Sequence, residues 1–322
     1  MAETRRLGSQ GPEITTIGFG AWAAGGPWFA GWGQQDDNDS IDAIRRSIEA
    51  GCNWIDTAAV YGIGHSEEVV GKAIEGYRDD VLIFTKCGRI ATQMDKPHGD
   101  LRPESIRLEI EASLKRLNVD AVDLYQIHWP DCIHSTPIED AWGTLAEIKR
   151  EGKARWIGVS NFDVAQLERC EAIAHVDSLQ PPYSLLRQEV AEEILPFCLK
   201  NGTGVVAYSP MQGGLLSGRF DISRVAQDDW RHRHPFYQEP NLSRNLAFVE
   251  SLRPIAETYN KTVGQLAIRW ALSNPAITGA IVGARSPEQV EVNTEAMGWE
   301  LTSDDLSAIA EAYRALQSEG IE

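Results

Sequence analysis

Eight strand-like apolar runs alternate with helical patterns along the 322-residue chain, and this alternation predicts a closed (β/α)8 barrel, the TIM-barrel fold. Strands separated by helices form a parallel sheet, and eight such units in about 300 residues are enough to close a barrel. No linker or low-complexity segment interrupts the chain, so we expect one domain over residues 1–322. The predicted strands lie near residues 17, 54, 83, 124, 157, 178, 206 and 281.

Two additions to the eight units are predicted at the ends of the chain. Residues 4–18 indicate an N-terminal β-hairpin, because two short segments with apolar residues flank the turn-forming cluster 8–12. A long loop follows the strand near 206. Extra C-terminal helices are then predicted at about 242–259, 262–273 and 303–316.

The helices between the strands are indicated by apolar residues three or four positions apart and by capping residues at their ends. One helix is expected to end at Gly51. Ser66 is expected to cap the next helix, and Pro103 to lie in the first turn of the one after it. Further predictions are capping boxes at 136–139 and 262–265, a helix near Asp163, a helix over 189–200 and a cap at Ser286.

The composition argues against several kinds of partner. The chain has 30 Lys and Arg against 47 Asp and Glu, and its net charge of −17 argues against nucleic acid or an anionic membrane surface as the main partner. No run approaches the ~18 apolar residues of a membrane-spanning helix, and the first residues lack a signal-peptide core, so we expect a cytoplasmic protein. The oligomeric state is not predicted.

The five cysteines are scattered and form no C-x-x-C motif, which predicts reduced thiols. The alternative is a reactive thiol of low pKa at Cys87, beside Lys86; a small residue at a strand end is the simpler interpretation. The set is Cys52, Cys87, Cys132, Cys170 and Cys198.

Three successive predicted strands end in titratable side chains. The first ends in Asp56, with Tyr61 five residues further on, the second leads into Lys86, and the third leads into His128. Each of these residues alone is most often structural. Because the carboxyl ends of barrel strands share one mouth, however, their occurrence at consecutive strand ends predicts a single site.

These four side chains suit the reduction of a carbonyl group, which needs a hydride on carbon and a proton on oxygen. A free tyrosine, with a pKa near ~10, holds its proton tightly, and the ammonium of Lys86 is expected to lower the pKa of Tyr61. Asp56 is expected to hold Lys86 in place, and His128 to orient the carbonyl. No side chain donates a hydride, so a nicotinamide cofactor is required.

The sequence argues against three other kinds of site. Residues 18–23 match the dinucleotide fingerprint G-x-G-x-x-A, but the fingerprint must open a helix and a loop rich in glycine and tryptophan follows here. His232 and His234 lack further ligands at suitable spacing, so no metal is expected. A metal-dependent sugar isomerase needs a cluster of ligands at the strand ends, where only Asp56 and His128 are available.

Motifs along nearly the whole chain resemble those of the aldo-keto reductases. The loop 228–236 resembles the bacterial branch of that family, which includes inositol- and sugar-type members. The resemblance implies a (β/α)8 barrel with an N-terminal hairpin and NADPH-dependent reduction of aldehydes and ketones, or the reverse. The matching motifs are 56–62, 66–68, 84–86, 125–131, 157–162, 208–210, 213–218 and 283–289. One departure is Val282, where related sequences often carry proline.

The resemblance also implies residue roles, which are carried over by position. Tyr61 would be the general acid/base, Lys86 and Asp56 its tuning pair, and His128 the residue that orients the carbonyl. The implied contacts to nicotinamide are Ser160, Asn161, Gln180 and the stacking ring of Tyr208, with Trp22 also bordering the cofactor. The implied pyrophosphate cover is Ser209 and the segment 210–218, including Pro210, Gly214 and Leu215.

The adenosine end of the cofactor is implied to lie near the last barrel strand. Gly283 and Arg285 resemble a 2′-phosphate site, and the free amides of a helix beginning near Ser286 would also favour an anion. Gln289 and Asn293 resemble adenine contacts, although each also has a structural role near the helix start. The candidate substrate wall is aromatic and consists of Trp22, Trp32, Trp129 and Trp230.

From the resemblance we expect an NADP(H)-dependent reductase or alcohol dehydrogenase that acts on a small carbonyl or polyol. Arg285 favours NADP(H), and NAD(H) is possible but less favoured. The alternative is a cofactor-sensing auxiliary subunit with little turnover, a role that some members of the family fulfil for ion channels. The intact reactive positions favour the enzyme. The substrate and the preferred reaction direction are not predicted.

Overall fold

In the computed structural model, which describes residues 2–92, 96–130, 135–227 and 229–318, eight parallel strands close into a barrel. All eight predicted strands are present, and the predicted fold class is confirmed. Asp131, Cys132 and Asp228, which belong to the motifs and the cysteine set above, lie outside the described residues. In order around the barrel the strands are β3 (Ile17–Gly20), β4 (Trp54–Asp56), β5 (Leu82–Cys87), β8 (Val122–Ile127), β9 (Ala154–Ser160), β10 (Ser178–Gln180), β11 (Gly204–Tyr208) and β12 (Gly279–Gly283).

The predicted N-terminal hairpin closes one end of the barrel. Its strands β1 (Thr4–Arg6) and β2 (Glu13–Thr15) pair in an antiparallel manner. Leu7 and Ile14 are fully buried in a cluster with Trp54 and Phe84, and the indole N–H of Trp54 donates to the Thr15 carbonyl (2.8 Å). This apolar packing fills the amino ends of the strands, so the open mouth lies at their carboxyl ends.

A second small sheet lies beyond the carboxyl end of β5, where β6 (Arg89–Ile90) pairs with β7 (His98–Gly99). Helices cover the outside of the barrel and bury their apolar faces against it. None of the described helices is long and apolar enough to cross a membrane. The helices are α1 (Asp37–Glu49), α2 (His65–Ala73), α3 (Pro103–Leu117), α4 (Ile138–Arg150), α5 (Val164–Glu171), α6 (Ile194–Asn201), α7 (Asn241–Ser251), α8 (Arg253–Thr258), α9 (Val263–Leu272), α10 (Pro287–Thr294) and α11 (Ser303–Ser318).

Two predicted helices are shorter than expected, and proline accounts for both differences. The helix predicted over 242–259 is divided at Leu252 into α7 and α8, because Pro254 has no N–H to continue the hydrogen bonds of α7. The helix predicted over 189–200 begins only at Ile194, with Pro196 in its first turn, where a missing N–H costs nothing.

Several predicted caps are wrong, whereas one capping box is confirmed. Thr262 and Gln265 form the reciprocal box at the start of α9. The helix α2 begins at His65 instead, and the buried Ser66 hydroxyl donates to the Ala21 carbonyl (2.7 Å). Neither α4 nor α10, whose N-caps are Pro137 and Ser286, has a side-chain cap bond. Capping thus depends on which hydrogen-bond partner the tertiary structure brings nearest.

Candidate active site

A cavity of about 650 Å³ opens at the carboxyl ends of the barrel strands. Its volume lies within the range of sites for small molecules and cofactors. Asp56, Tyr61 and His128 line it at one end and Arg285 at the other, so it extends from the predicted reactive residues to the start of α10.

The predicted reactive residues lie together at this mouth. Lys86 is fully buried at the end of β5, and its Nζ donates to Asp56 Oδ1 (2.6 Å), to the Thr57 carbonyl (2.9 Å) and to the Tyr61 hydroxyl (3.4 Å). The ring of His128 meets the ring of Tyr61 edge-on, with centroids 5.7 Å apart. An ammonium therefore lies beside a phenol, with an imidazole across from it at the cavity.

An unusual turn positions Tyr61. The three residues after it, Gly62, Ile63 and Gly64, all have positive φ (61°, 59° and 96°), and a β-branched residue rarely adopts this conformation. Gly62 lies so close to the loop at Gly25 that a Cβ atom would be 2.1 Å from the Gly25 carbonyl oxygen. The turn thus holds the tyrosine against a second loop, at a cost of about 1–3 kcal/mol for the strained isoleucine.

Burial dominates the protonation of these groups. It raises the pKa of Asp56 and lowers the pKa of Lys86, while the ion pair between them opposes both shifts. Burial and the charge of Asp56 raise the pKa of Tyr61 well above its usual value. The structure therefore does not show the lowered tyrosine pKa that we expected from Lys86, and Tyr61 keeps its proton at neutral pH.

His128 is neutral at physiological pH. Burial and the positive charges of Lys86 and Arg89 hold the pKa of its imidazole well below the usual value. A neutral imidazole has one N–H donor and one acceptor nitrogen, so His128 has one donor for an oxygen atom in the cavity.

A hydrogen-bonded group of polar side chains lies beside the reactive residues. The Gln180 amide donates to Asp56 Oδ2 (2.8 Å), so both carboxylate oxygens of Asp56 are held. Ser160 Oγ donates to the Gln180 carbonyl (2.7 Å). Asn161 donates to Ser160 Oγ (2.9 Å) and accepts from the Tyr208 hydroxyl (2.9 Å). The four residues predicted to contact nicotinamide therefore form one connected network at the cavity wall.

The rest of the cavity is a groove lined by loop backbone. Ser209 (φ 57°) and Asn161 (φ 64°) both have left-handed backbones there, and such strain in non-glycine residues is concentrated at functional sites. The predicted contacts that line the groove are Ser209, Pro210, Gly214, Gly283, Arg285, Gln289 and Asn293. The Leu215 side chain does not line it, because it is buried in a hydrophobic cluster with Leu216.

Three of the four predicted aromatic residues, Trp22, Trp32 and Trp129, line the cavity. Trp230 does not. It stacks on Trp22 with ring centroids 5.7 Å apart and meets Trp32 edge-on, so it supports the wall from behind. The guanidinium of Arg231 lies over the Trp32 ring, 4.6 Å from its centroid. The long loop after β11 is joined to the β3–α1 loop in this way.

Further residues line the cavity. Trp28 and Phe29 lie on the loop after β3, whose aromatic residues the sequence offered as a pocket rim, with ordinary loop packing as the alternative. Arg89 and Lys96 belong to the segment beyond β5, and nothing in the local sequence pattern distinguishes them. Only the course of the loops brings these side chains to the mouth.

The remaining candidate groups have structural partners. His232 Nε2 lies 3.2 Å from the Val225 carbonyl, and His234 Nδ1 accepts from the Phe236 amide (3.3 Å). Across residues 2–92, 96–130, 135–227 and 229–318, no group of three or more His, Cys, Asp or Glu side chains is placed to hold a metal ion. The four described cysteines are free and buried, and burial raises the pKa of Cys87 well above its usual value. Cys87 is therefore not the reactive thiol that its lysine neighbour suggested.

Comparison with known proteins shows the same similarity over nearly the whole chain. The model of the Aldo/keto reductase family matches residues 16–314. Aldo-keto reductase YhdN of Bacillus subtilis (strain 168) is 40% identical over 311 residues, which cover 94% of this chain and 91% of that protein. The NADH-specific methylglyoxal reductase of Escherichia coli (strain K12) is 34% identical over 323 residues, covering 97% of this chain and 98% of that protein.

Among solved structures, the glycerol dehydrogenase AKR11B4 from Gluconobacter oxydans superimposes with a TM-score of 0.89 at 35% identity. The match covers 99% of this chain and 97% of that chain.

Proposed function

The chain belongs to the aldo/keto reductase family of oxidoreductases, and from this premise we propose that it transfers a hydride between an NADP(H) nicotinamide and the carbonyl or alcohol carbon of a small substrate. In this proposal Tyr61 is the general acid/base. The observation that carries the proposal is the position of Lys86, whose ammonium contacts both the Asp56 carboxylate and the Tyr61 hydroxyl at the cavity.

The raised pKa of Tyr61 keeps the phenol protonated at neutral pH, which is the state that reduction requires. A protonated phenol donates its proton to the oxygen of a reduced carbonyl, because an alkoxide is a stronger base than a phenolate. Lys86 donates to the tyrosine oxygen and stabilises the phenolate as it forms. His128 is neutral and has one N–H to orient the substrate oxygen, so both proton-handling groups act in a defined state near pH 7.

The residues along the groove fit a dinucleotide. When bound, the nicotinamide supplies the hydride, which no side chain can donate. Ser160, Asn161 and Gln180 present amide and hydroxyl groups suited to a carboxamide, and the ring of Tyr208 offers a stacking face. Gly213 and Gly214 have no side chains, so a pyrophosphate could approach their backbone closely.

The preference for NADP(H) rests on Arg285. Its guanidinium lies at the start of α10, a helix without a side-chain cap, where free amides and the helix dipole also favour a phosphate. A relative is NADH-specific, so binding of NADPH and of NADH to an Arg285 variant tests the preference. We expect Arg285→Ala to weaken NADPH binding about tenfold or more while changing NADH binding little. Equal losses for both cofactors would remove Arg285 from the 2′-phosphate site.

The substrate is proposed to be a small aldehyde, ketone or polyol. The cavity wall near Tyr61 consists largely of tryptophan rings, which pack against a carbon skeleton, and His128 is the polar group that would fix the reacting oxygen. Relatives that are named for methylglyoxal and for glycerol act on compounds of this size.

The decisive experiment compares wild-type protein with Tyr61→Phe. We expect NADPH-linked reduction of a carbonyl panel to fall at least about a hundredfold, because the proton donor is lost. Binding of NADPH, followed by quenching of tryptophan fluorescence, should remain nearly unchanged. A wild-type protein that binds NADPH but turns over no carbonyl compound or polyol would instead support a cofactor-sensing role.

A further inference from the structure

The loop between β3 and α1 is tied to the start of α10 by three hydrogen bonds across 250 residues of sequence. Arg285 Nε donates to Gln35 Oε1 (2.6 Å), and Arg285 Nη2 donates to the Gln34 carbonyl (2.5 Å). In return, the Gln35 amide donates to the Arg285 carbonyl (3.2 Å). The guanidinium predicted to bind the cofactor phosphate therefore already has two oxygen partners from the protein.

The two oxygen atoms occupy the edge of the guanidinium that suits phosphate best. Nε and Nη2 point in parallel from one side of the planar group and form the fork that grips two oxygens of a phosphate. The Gln34 carbonyl and Gln35 Oε1 lie at this fork, in the positions that two phosphate oxygens would take. A phosphate and residues 34–35 therefore cannot both accept hydrogen bonds from this edge of Arg285.

We propose that Gln35 is a cofactor-specificity residue that competes with the 2′-phosphate of NADP(H) for Arg285. The inference rests on the proposed function, in which Arg285 binds that phosphate. Binding of NADPH to the fork breaks the contacts to Gln35, whereas NADH has no 2′-phosphate and leaves them in place. Gln35 thus reduces the preference for NADPH over NADH without contacting the reacting atoms.

Residues 34 and 35 can move away from Arg285 without disturbing the barrel. Gly33 precedes it with φ of 76°, and no heavy atom lies within 4 Å of the position that a Cβ atom would take. On the other side, Asp36 caps α1 by accepting from the Asn38 amide (2.7 Å). Only residues 34 and 35 need to move between these two points.

Three single variants separate this competition from general effects on the loop. Gln35→Ala removes the acceptor and should tighten NADPH binding about three- to tenfold, with NADH binding unchanged. Gln35→Glu strengthens the competitor by adding a charge beside Arg285, and should weaken NADPH binding by a similar factor. Gln34→Ala is the matched control. Gln34 contributes only its main-chain carbonyl, so both dissociation constants should stay within about twofold of wild type.

The measurement is a fluorescence titration of each variant with NADPH and with NADH, without substrate, repeated in an Arg285→Ala background. The effect of Gln35→Ala on NADPH binding should disappear in that background, because Arg285, the group for which Gln35 and the phosphate compete, is absent. If Arg285→Ala weakens NADPH binding but Gln35→Ala leaves it unchanged, or changes NADH equally, the competition is refuted and the phosphate site stands. If wild-type protein binds neither dinucleotide, the proposed function itself fails.

Discussion

The buried ion pair between Asp56 and Lys86 should contribute to folding as well as to chemistry, and Asp56→Asn tests this. The variant leaves a fully buried ammonium without its opposite charge, and Lys86 and Gln180, which each donate to one carboxylate oxygen of Asp56, then compete for the single oxygen of the asparagine. Removing one partner of such a pair typically costs about 3–5 kcal/mol, because the remaining charge is uncompensated. The unfolding entropy of a 322-residue chain is about 0.7 kcal/mol/K, so the melting temperature should fall by about 4–7 °C.

The control is a double-mutant cycle with Lys86→Met. The double variant removes the buried charge and keeps an acceptor for Gln180, so it should regain more than half of the stability lost by Asp56→Asn. Urea unfolding gives the four free energies, and an activity assay accompanies them, since both single variants and the double variant should be inactive. If the two single losses add to within about 0.5 kcal/mol in the double variant, the pair is not coupled and the reasoning is refuted.

Two further predictions concern the position and the protonation of the reactive groups. Gly62→Ala should reduce kcat and stability, because its Cβ would clash with the Gly25 carbonyl. Gly76→Ala is the control, since Gly76 also has positive φ but open space around it, and it should leave kcat unchanged. Equal kcat for both variants would contradict the steric argument. The pH dependence should differ with direction. Reduction needs Tyr61 protonated, and its raised pKa keeps the rate level until above pH ~10, while oxidation needs the phenolate and should rise with pH throughout. The lowered pKa of His128 predicts no inflection near pH 6.5 in kcat/KM, and an inflection there would show that the imidazole titrates.

Much of the fold could be predicted from the sequence, because it depends on patterns of neighbouring residues. The alternation of strand and helix, the proline and glycine boundaries and the capping box at Thr262 depend on neighbouring residues, and these appear in the structure. Two helices are shorter than predicted because of prolines within them, which is also a local signal, whereas the cap predicted at Ser66 failed because of a distant partner. Ser66 was expected to cap a helix, but its hydroxyl lies beside the Ala21 carbonyl, which is far away in sequence.

The sequence by itself determined that the chain forms a barrel and that Asp56, Tyr61, Lys86 and His128 follow its strands at the same end. The physical reason is that strand direction fixes which ends meet, whatever the details of packing. Only the tertiary structure decided the protonation of Tyr61, since burial and the charge of Asp56 outweigh the lysine beside it. It also decided that Trp230 lies behind the cavity wall and that Gln180 holds Asp56. Those outcomes depend on solvent exclusion and on contacts between distant segments, which no local pattern of residues encodes.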